Sequence, residues 1–261
     1  MKRSGENILS IVTIVGYLIM IGVNALANIL PINDITTGEV SDLYGNLFAP
    51  AGITFSIWGV IYILLGAYCV FQFNYIRKKD LKWRLINRIN LLFLFTSILN
   101  SIWIILWHYG LIGLSLMLMI LLLVSLILIR LSLEKFPLEK SNYLLINLPF
   151  SVYFGWISVA TIANVTAFLV KSDWNRFGLS ETVWTVLIIL VGLLIGSLTI
   201  AWFKDKAYGI VFVWAYLGIV IKHVSESGFD FQYPFVVFSS IFSIIVFLYF
   251  IFFKTNKGIS F

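Results

Sequence analysis

The stretch that decides the fold is LIGLSLMLMILLLVSLILI, residues 111–129, which contains no charged residue and is followed by Arg130. About 20 apolar residues in a helix cross the hydrocarbon layer of a bilayer, so this stretch predicts a membrane-spanning helix. Similar stretches recur along the chain. The eight predicted spans are residues 9–30, 51–74, 86–107, 111–130, 143–170, 182–203, 207–221 and 233–253. The seventh span is the shortest. Its helix is therefore interpreted as less tilted than the others, as broken, or as extending through Lys222.

The composition excludes a water-soluble domain. The 261 residues are 61% hydrophobic and only 11% charged, whereas ordinary soluble domains contain about 25% charged residues. An all-α fold is therefore predicted, a polytopic membrane helical bundle. The first apolar stretch is long enough to span, so a retained helix is a simpler interpretation than a cleaved signal peptide.

The basic residues predict the orientation. Placing both termini and the loops near 75–88, 130–142 and 204–206 on one side collects fifteen of the eighteen Lys and Arg residues there. Because cytoplasmic loops are enriched in Lys and Arg, both termini are predicted to be cytoplasmic, with an even number of spans. The net charge of +6 then reflects topology, and no nucleic-acid partner is expected.

The charged residues all fall in loops or near predicted helix ends. Ion-coupled carriers usually keep an ionisable residue inside the bilayer. The absence of such residues from the middle of the predicted spans argues against ion-coupled transport. His108 and His223 lie at predicted helix ends, where a solvated or headgroup-facing side chain is expected. No nucleophile–base pair, metal-ligand cluster or phosphate-binding glycine loop is present, so no enzyme activity, metal or cofactor is expected.

Successive side chains of an α-helix are rotated by about 100° about its axis. By this rotation, four spans each carry polar and aromatic residues on one face. These faces comprise Tyr17, Asn24 and Asn28 in the first span, Phe55, Trp58 and Tyr62 in the second, Asn100, Trp103 and Trp107 in the third, and Tyr153, Trp156 and Asn164 in the fifth. Six of them are predicted to lie in the outer half of the membrane, beneath the loop from Pro31 to Pro50: Asn24, Asn28, Trp58, Asn100, Trp103 and Asn164. That loop is interpreted either as a lid over a ligand pocket or as a flexible tether.

Each residue also has a purely structural interpretation. A membrane asparagine usually hydrogen-bonds a neighbouring helix. Tryptophan is enriched at membrane interfaces as an anchor, which is the preferred interpretation of Trp83, Trp174, Trp184 and Trp202. The role of Trp214 is left undecided.

The segment NLFAPAGITFSIWGVIY, residues 46–62, resembles the TspO/MBR family, the tryptophan-rich sensory proteins also called translocator proteins or peripheral benzodiazepine receptors. The family pattern is Trp-x-Pro-Pro-Gly-x-x-Phe-x-x-x-Trp-x-x-x-Tyr. Here Pro50, Gly52, Phe55, Trp58 and Tyr62 match, while Phe48 and Ala51 replace the first tryptophan and the second proline. Further similarities are Asn100-x-x-Trp103 in the third span and Tyr153-x-x-Trp156 with Thr161 and Asn164 in the fifth.

The resemblance implies a five-helix translocator-protein-like bundle in residues 1–175 and about three additional membrane helices of unknown role in residues 176–261. It implies a ligand site under the first loop for tetrapyrroles such as porphyrin and haem, or for sterol-like molecules. The implied ligand-binding residues are Phe48, Pro50, Phe55, Trp58, Tyr62, Asn100, Trp103, Tyr153, Trp156 and Asn164. Phe48 stands at a position associated with porphyrin chemistry in the family, which argues against tetrapyrrole degradation.

The leading hypothesis is therefore an integral membrane receptor or sensor for a flat hydrophobic small molecule. The alternative is a small-molecule transporter that lacks ion-coupling residues. A multi-pass protein of a bacterial cytoplasmic membrane is expected, with the lipid bilayer as its surroundings and a homo-oligomer as an open expectation.

Overall fold

The computed structural model describes residues 2–30, 32–73, 82–135 and 143–255, and within these ranges the chain is helical and contains no strand. Within the described part of the chain, eight helical stretches are long and apolar enough to cross a membrane. The helices are α1 (Lys2–Ile29), α2 (Thr37–Leu43), α3 (Ile57–Phe71), α4 (Lys82–His108), α5 (Ile112–Glu134), α6 (Leu148–Lys171), α7 (Glu181–Phe203), α8 (Lys206–Val224) and α9 (Pro234–Tyr249). The predicted polytopic helical bundle is confirmed.

The seventh span is continuous. Helix α8 has 19 residues, which at a rise of about 1.5 Å per residue gives a length of about 28 Å. It extends through Lys222, so of the three alternatives the extension is confirmed. Its start is fixed by Asp205, whose carboxylate accepts a 3.1 Å hydrogen bond from the backbone N–H of Tyr208. The carboxylate satisfies one of the free donors in the first helical turn.

The loop after α1 is folded around the short helix α2. Thr36 and Glu39 form a capping box, because the Glu39 carboxylate accepts from the Thr36 backbone N–H at 2.6 Å and the Thr36 hydroxyl faces the Glu39 N–H at 3.4 Å. This reciprocal pair satisfies donors that the helix itself leaves free. The loop therefore has secondary structure of its own, while its interpretation as a lid or as a flexible tether stays a prediction. Pro31, its first residue, lies outside the described residues.

The chain divides into two compact units, which we describe separately. The first comprises residues 1–40 and 58–154, in which α4 packs against both α1 and α5. The second comprises residues 41–57 and 155–261, in which α9 packs against both α7 and α8. These units follow packing, whereas the division at residue 175 rests on the family resemblance and stays a prediction.

Five of the fifteen basic residues that predict the orientation in the membrane lie outside the described part of the chain. They are Arg77, Lys78, Lys79, Lys140 and Lys257. The cytoplasmic location of both termini therefore stays a prediction.

The first unit contains a buried polar network centred on Asn90 of α4. Its side-chain oxygen accepts a 2.6 Å hydrogen bond from the Tyr68 hydroxyl, and its NH₂ group donates to Gln72 Oε1 at 2.6 Å and to Ser10 Oγ at 3.2 Å. The Thr13 hydroxyl also approaches the Asn90 backbone carbonyl at 3.3 Å. Interhelical hydrogen bonds of this kind hold membrane helices together where no hydrophobic force distinguishes protein from lipid.

Candidate functional site

Four predicted ligand-binding aromatic residues form one cluster in the first unit. Trp58 lies at its centre and stacks on Tyr62, with ring centroids 5.5 Å apart and planes inclined by 20°. Trp103 lies 6.2 Å from Trp58, and Tyr153 lies 6.0 Å from it on an edge. Trp107 extends the cluster by stacking on Trp103 at 6.1 Å. We call Trp58, Tyr62, Trp103 and Tyr153 the ring cluster.

The fifth predicted residue of this unit, Asn100, joins two neighbouring helices. Its side-chain oxygen accepts a 2.7 Å hydrogen bond from Asn24 of α1, and its NH₂ group faces the Tyr153 hydroxyl at 3.4 Å. Asn100 is completely buried. The interhelical interpretation of this asparagine is therefore realised in the structure, and Asn100 holds Tyr153 of the ring cluster in place.

Two polar atoms of the ring cluster are buried without a hydrogen bond. Within the described residues, neither Trp103 Nε1 nor the Tyr62 hydroxyl has a hydrogen-bond partner. A buried donor left without a partner costs about 1–3 kcal/mol, and nearly all such groups in proteins are paired. Two of them in one aromatic cluster are consistent with donors kept for a ligand acceptor.

The other five predicted residues lie in the second unit. Phe55 contacts Trp156 edge-on with a centroid distance of 5.9 Å, and Phe48 contacts Tyr216 of α8 in the same manner at 6.4 Å. Pro50 and Asn164 are also buried. Phe55 and Trp156 are therefore brought together, whereas Phe48 packs on a helix that the family resemblance did not include.

Helix α8 holds the segment that carries the family motif. The Ala51 backbone N–H donates to the Gly218 carbonyl at 3.0 Å, and Trp214 Nε1 donates to the Thr54 carbonyl at 2.9 Å. A Cβ at Gly218 would collide with the Thr54 side chain. The sequence analysis missed this role of the seventh span, for which Trp214 and Gly218 in an apolar helix were the only sequence signals.

The expectation for both histidines is wrong, because neither side chain is solvated. His108 is 4% exposed and lies between Ile32 and Thr37, with Nδ1 at 3.1 Å from the Ile32 carbonyl and Nε2 at 3.2 Å from the Thr37 hydroxyl. His223 is completely buried and packs against the Phe229 ring at 4.6 Å. Because the loops fold over these helix ends, the two imidazoles are buried despite their terminal positions.

Two of the cavities formed by the described residues lie in the second unit. One of about 360 Å³ lies where α6 ends and α7 begins, and its lining includes Phe48, Trp174 and Trp184. The other, of about 550 Å³, is almost entirely apolar and is lined by side chains of α7 and α9, among them Phe235 and Phe242. Among the residues the structure describes, no group of three His, Cys, Asp or Glu side chains could hold a metal ion.

These observations define a polytopic helical membrane protein with buried aromatic clusters. The sequence signature of TSPO-like proteins matches residues 10–253, and the chain belongs to this family. The match extends beyond the five spans of the original resemblance and includes α7, α8 and α9. No curated protein and no solved structure matches the chain. Family membership places it among membrane proteins of the ligand-binding or transport type.

Proposed function

We propose that this protein is a membrane receptor or sensor that binds a flat hydrophobic ligand at the ring cluster of the first unit, with tetrapyrroles as the leading ligand class. The observation that carries the proposal is the pair of unpartnered donors, Trp103 Nε1 and the Tyr62 hydroxyl. Sterol-like molecules are the second class that the family resemblance implies.

The ring cluster supplies the two kinds of contact that such a ligand needs. Trp58 and Tyr62 are nearly parallel at 20°, and a flat ligand that parts them would replace ring–ring stacking with ring–ligand stacking. Aromatic pairs of this kind contribute about 0.5–1.5 kcal/mol beyond simple burial. An acceptor at the ligand edge would pair Trp103 Nε1 and the Tyr62 hydroxyl. The acceptor gains binding energy because both donors are already desolvated.

Asn100 has a supporting role in this proposal. Its side-chain oxygen is already occupied by Asn24 at 2.7 Å. We therefore propose that Asn100 positions Tyr153, while Trp103 and Tyr62 contact the polar edge of the ligand.

The test is a titration of the purified protein with protoporphyrin and with haem, followed by the Soret absorbance of the ligand. Trp103→Phe and Tyr62→Phe each remove one donor and keep an aromatic ring, and each should weaken binding about tenfold, as the loss of one desolvated hydrogen bond implies. Trp202→Phe is the matched control, because Trp202 is 79% exposed and its loss should leave binding unchanged.

Thermal unfolding of the same variants separates a ligand-binding role from a structural one. Since the two donors have no partner in the folded protein, their removal should leave stability unchanged or raise it slightly. Weaker binding together with undiminished stability supports the proposal. Binding equal to that of the unaltered protein in both variants would contradict it. Saturable flux of labelled porphyrin into proteoliposomes would favour the transporter alternative.

A further inference from the structure

A cavity of about 360 Å³ lies in the second unit, where α6 ends and α7 begins. The cavity shares no residue with the ring cluster, because none of the four ring-cluster residues lines it. Functional pockets have volumes of about 300–1,000 Å³, so this cavity suits a small ligand of headgroup size.

Three aromatic side chains line the cavity. Trp174 and Trp184 meet at an angle of 69° with their centroids 4.6 Å apart, and Phe48 contributes a third ring. An interfacial anchor would need only contact with lipid, but both tryptophans also line this partly open cavity. Tryptophan is the best aromatic partner for an organic cation, since its ring face carries negative electrostatic potential.

The charged lining residues favour a cation. Asp173 and Glu181 supply two carboxylates, and Arg176 supplies one guanidinium. Within the described part of the chain, none of the three forms an ion pair. The charged side chains of the lining therefore sum to a net charge of −1. Electrostatic attraction in a partly water-excluded site is stronger than in bulk water, which raises the affinity for a positively charged ligand.

The opposite assignment, an anion site at the N-terminus of α7, is less consistent with the contacts. Ser180 Oγ already accepts from the Val183 backbone N–H at 3.3 Å, which caps the helix. Glu181 places a negative charge in the first turn, where it interacts with the positive end of the helix dipole. Arg176 Nε is directed to the Leu179 carbonyl at 3.4 Å. Among the described residues that line the cavity, Arg176 is thus the one cationic group that could attract an anion, and two carboxylates would repel it.

We propose that this cavity binds a small organic cation with a quaternary or protonated ammonium group, held by Trp174 and Trp184 and by the carboxylates of Asp173 and Glu181. This inference goes beyond the proposed tetrapyrrole function and does not depend on it. A free amine and a zwitterionic lipid headgroup both present this chemistry, and Arg176 can pair with the phosphate of the latter.

The experiment is calorimetric titration of the full chain in nanodiscs of phosphatidylglycerol, a lipid without an ammonium group. Choline is the probe, and 3,3-dimethylbutan-1-ol is its uncharged analogue of nearly equal shape. Choline should bind saturably and at least tenfold more tightly than the neutral alcohol, because only choline gains the cation–π and carboxylate attraction. Equal affinity for the two compounds, or no saturable binding of choline, would overturn the proposal.

Variants of the charged lining residues test whether the cavity prefers a cation or an anion. Glu181→Gln and Trp184→Leu should each weaken choline binding about tenfold, through loss of charge attraction and of the aromatic face. Arg176→Gln should strengthen it a few-fold, because a like charge is removed. Glu226→Gln is the matched control, since Glu226 is exposed and outside the lining. Weaker choline binding in Arg176→Gln would show that the cavity prefers anions and would overturn the assignment.

A second lipid composition identifies the source of the ammonium group. Nanodiscs that contain phosphatidylcholine place the headgroup beside the cavity at high local concentration. A lower apparent choline affinity in these nanodiscs, abolished by Glu181→Gln, supports the proposal with a lipid headgroup as ligand. An unchanged affinity supports it with a soluble amine as ligand.

Discussion

The indole N–H of Trp214 donates a 2.9 Å hydrogen bond to the backbone carbonyl of Thr54, 160 positions earlier in the chain. This bond attaches the helical turn Gly52–Ser56, which contains Phe55 of the family motif, to helix α8. The Ala51 N–H reinforces it through its 3.0 Å contact with the Gly218 carbonyl. The seventh span, which the five-helix pattern lacks, therefore determines where part of the motif lies within the second unit.

Gly218→Ala should destabilise the protein, because the added Cβ would overlap the Thr54 side chain. Overpacking of this kind typically costs about 1–3 kcal/mol. The measurement is the unfolding midpoint in detergent. The double variant Gly218→Ala with Thr54→Ala should recover part of the loss, since Thr54 Oγ1 and Cγ2 are among the colliding atoms. Additive effects of the two substitutions would contradict a direct clash.

Asn90→Ala should be among the most damaging single substitutions in the first unit. It removes the partner of the Tyr68 hydroxyl and of the Gln72 side-chain oxygen, and leaves buried polar groups without a hydrogen bond. We expect a loss of about 2–4 kcal/mol in the free energy of unfolding, from one or two such groups. Asn87→Ala, in the same helix, is the control and should change stability by less than about 0.5 kcal/mol. Equal effects would show that the network adds little.

Glu39 should titrate below its ordinary value. Its pKa is lowered from 4.5 mainly by the hydrogen bond from the Thr36 backbone N–H and further by the Thr36 hydroxyl, because both donors bind the ionised carboxylate. Capping of α2 by Glu39 is therefore fully present above the ordinary pKa and lost as the pH falls through the lowered pKa.

Carboxyl NMR of the Glu-labelled protein measures this shift. Thr36→Val removes the hydroxyl and keeps the backbone donor, so the pKa of Glu39 should rise part of the way to its ordinary value. A full return to that value would assign the whole shift to the hydroxyl, and no movement at all would show that the hydroxyl contributes nothing; either result would contradict the two assigned causes.

His108→Ala should loosen the first loop. His108 joins the end of α4 to the Ile32 carbonyl and to the Thr37 hydroxyl, and alanine can make neither contact. Backbone amides in residues 32–40 should then exchange with deuterium several-fold faster, since local opening becomes easier. Tyr109→Ala is a suitable control, because Tyr109 is next to His108 in the sequence and its own side chain is 61% exposed. Equal exchange in the two variants would assign the loop's order to other contacts.

The sequence by itself determined the number of membrane helices and their approximate ends. Each span must satisfy its backbone hydrogen bonds within one helix of about 20 apolar residues. Such a helix is therefore recognised from the hydropathy of a single continuous stretch of sequence. The family pattern likewise depends on short spacings, and residues such as Trp58 and Tyr62 fall on one helical face by periodicity alone.

Only the tertiary structure decided which helices meet and which polar atoms keep a partner. The Trp214–Thr54 bond, the Asn90 network and the cavity beside Trp184 each combine residues that are well separated in the sequence. Lipid is as apolar as the residues it touches, so hydropathy does not distinguish a lipid-facing helix surface from a packed one. Packing of small residues and pairing of buried polar groups make that distinction, and both require all three dimensions.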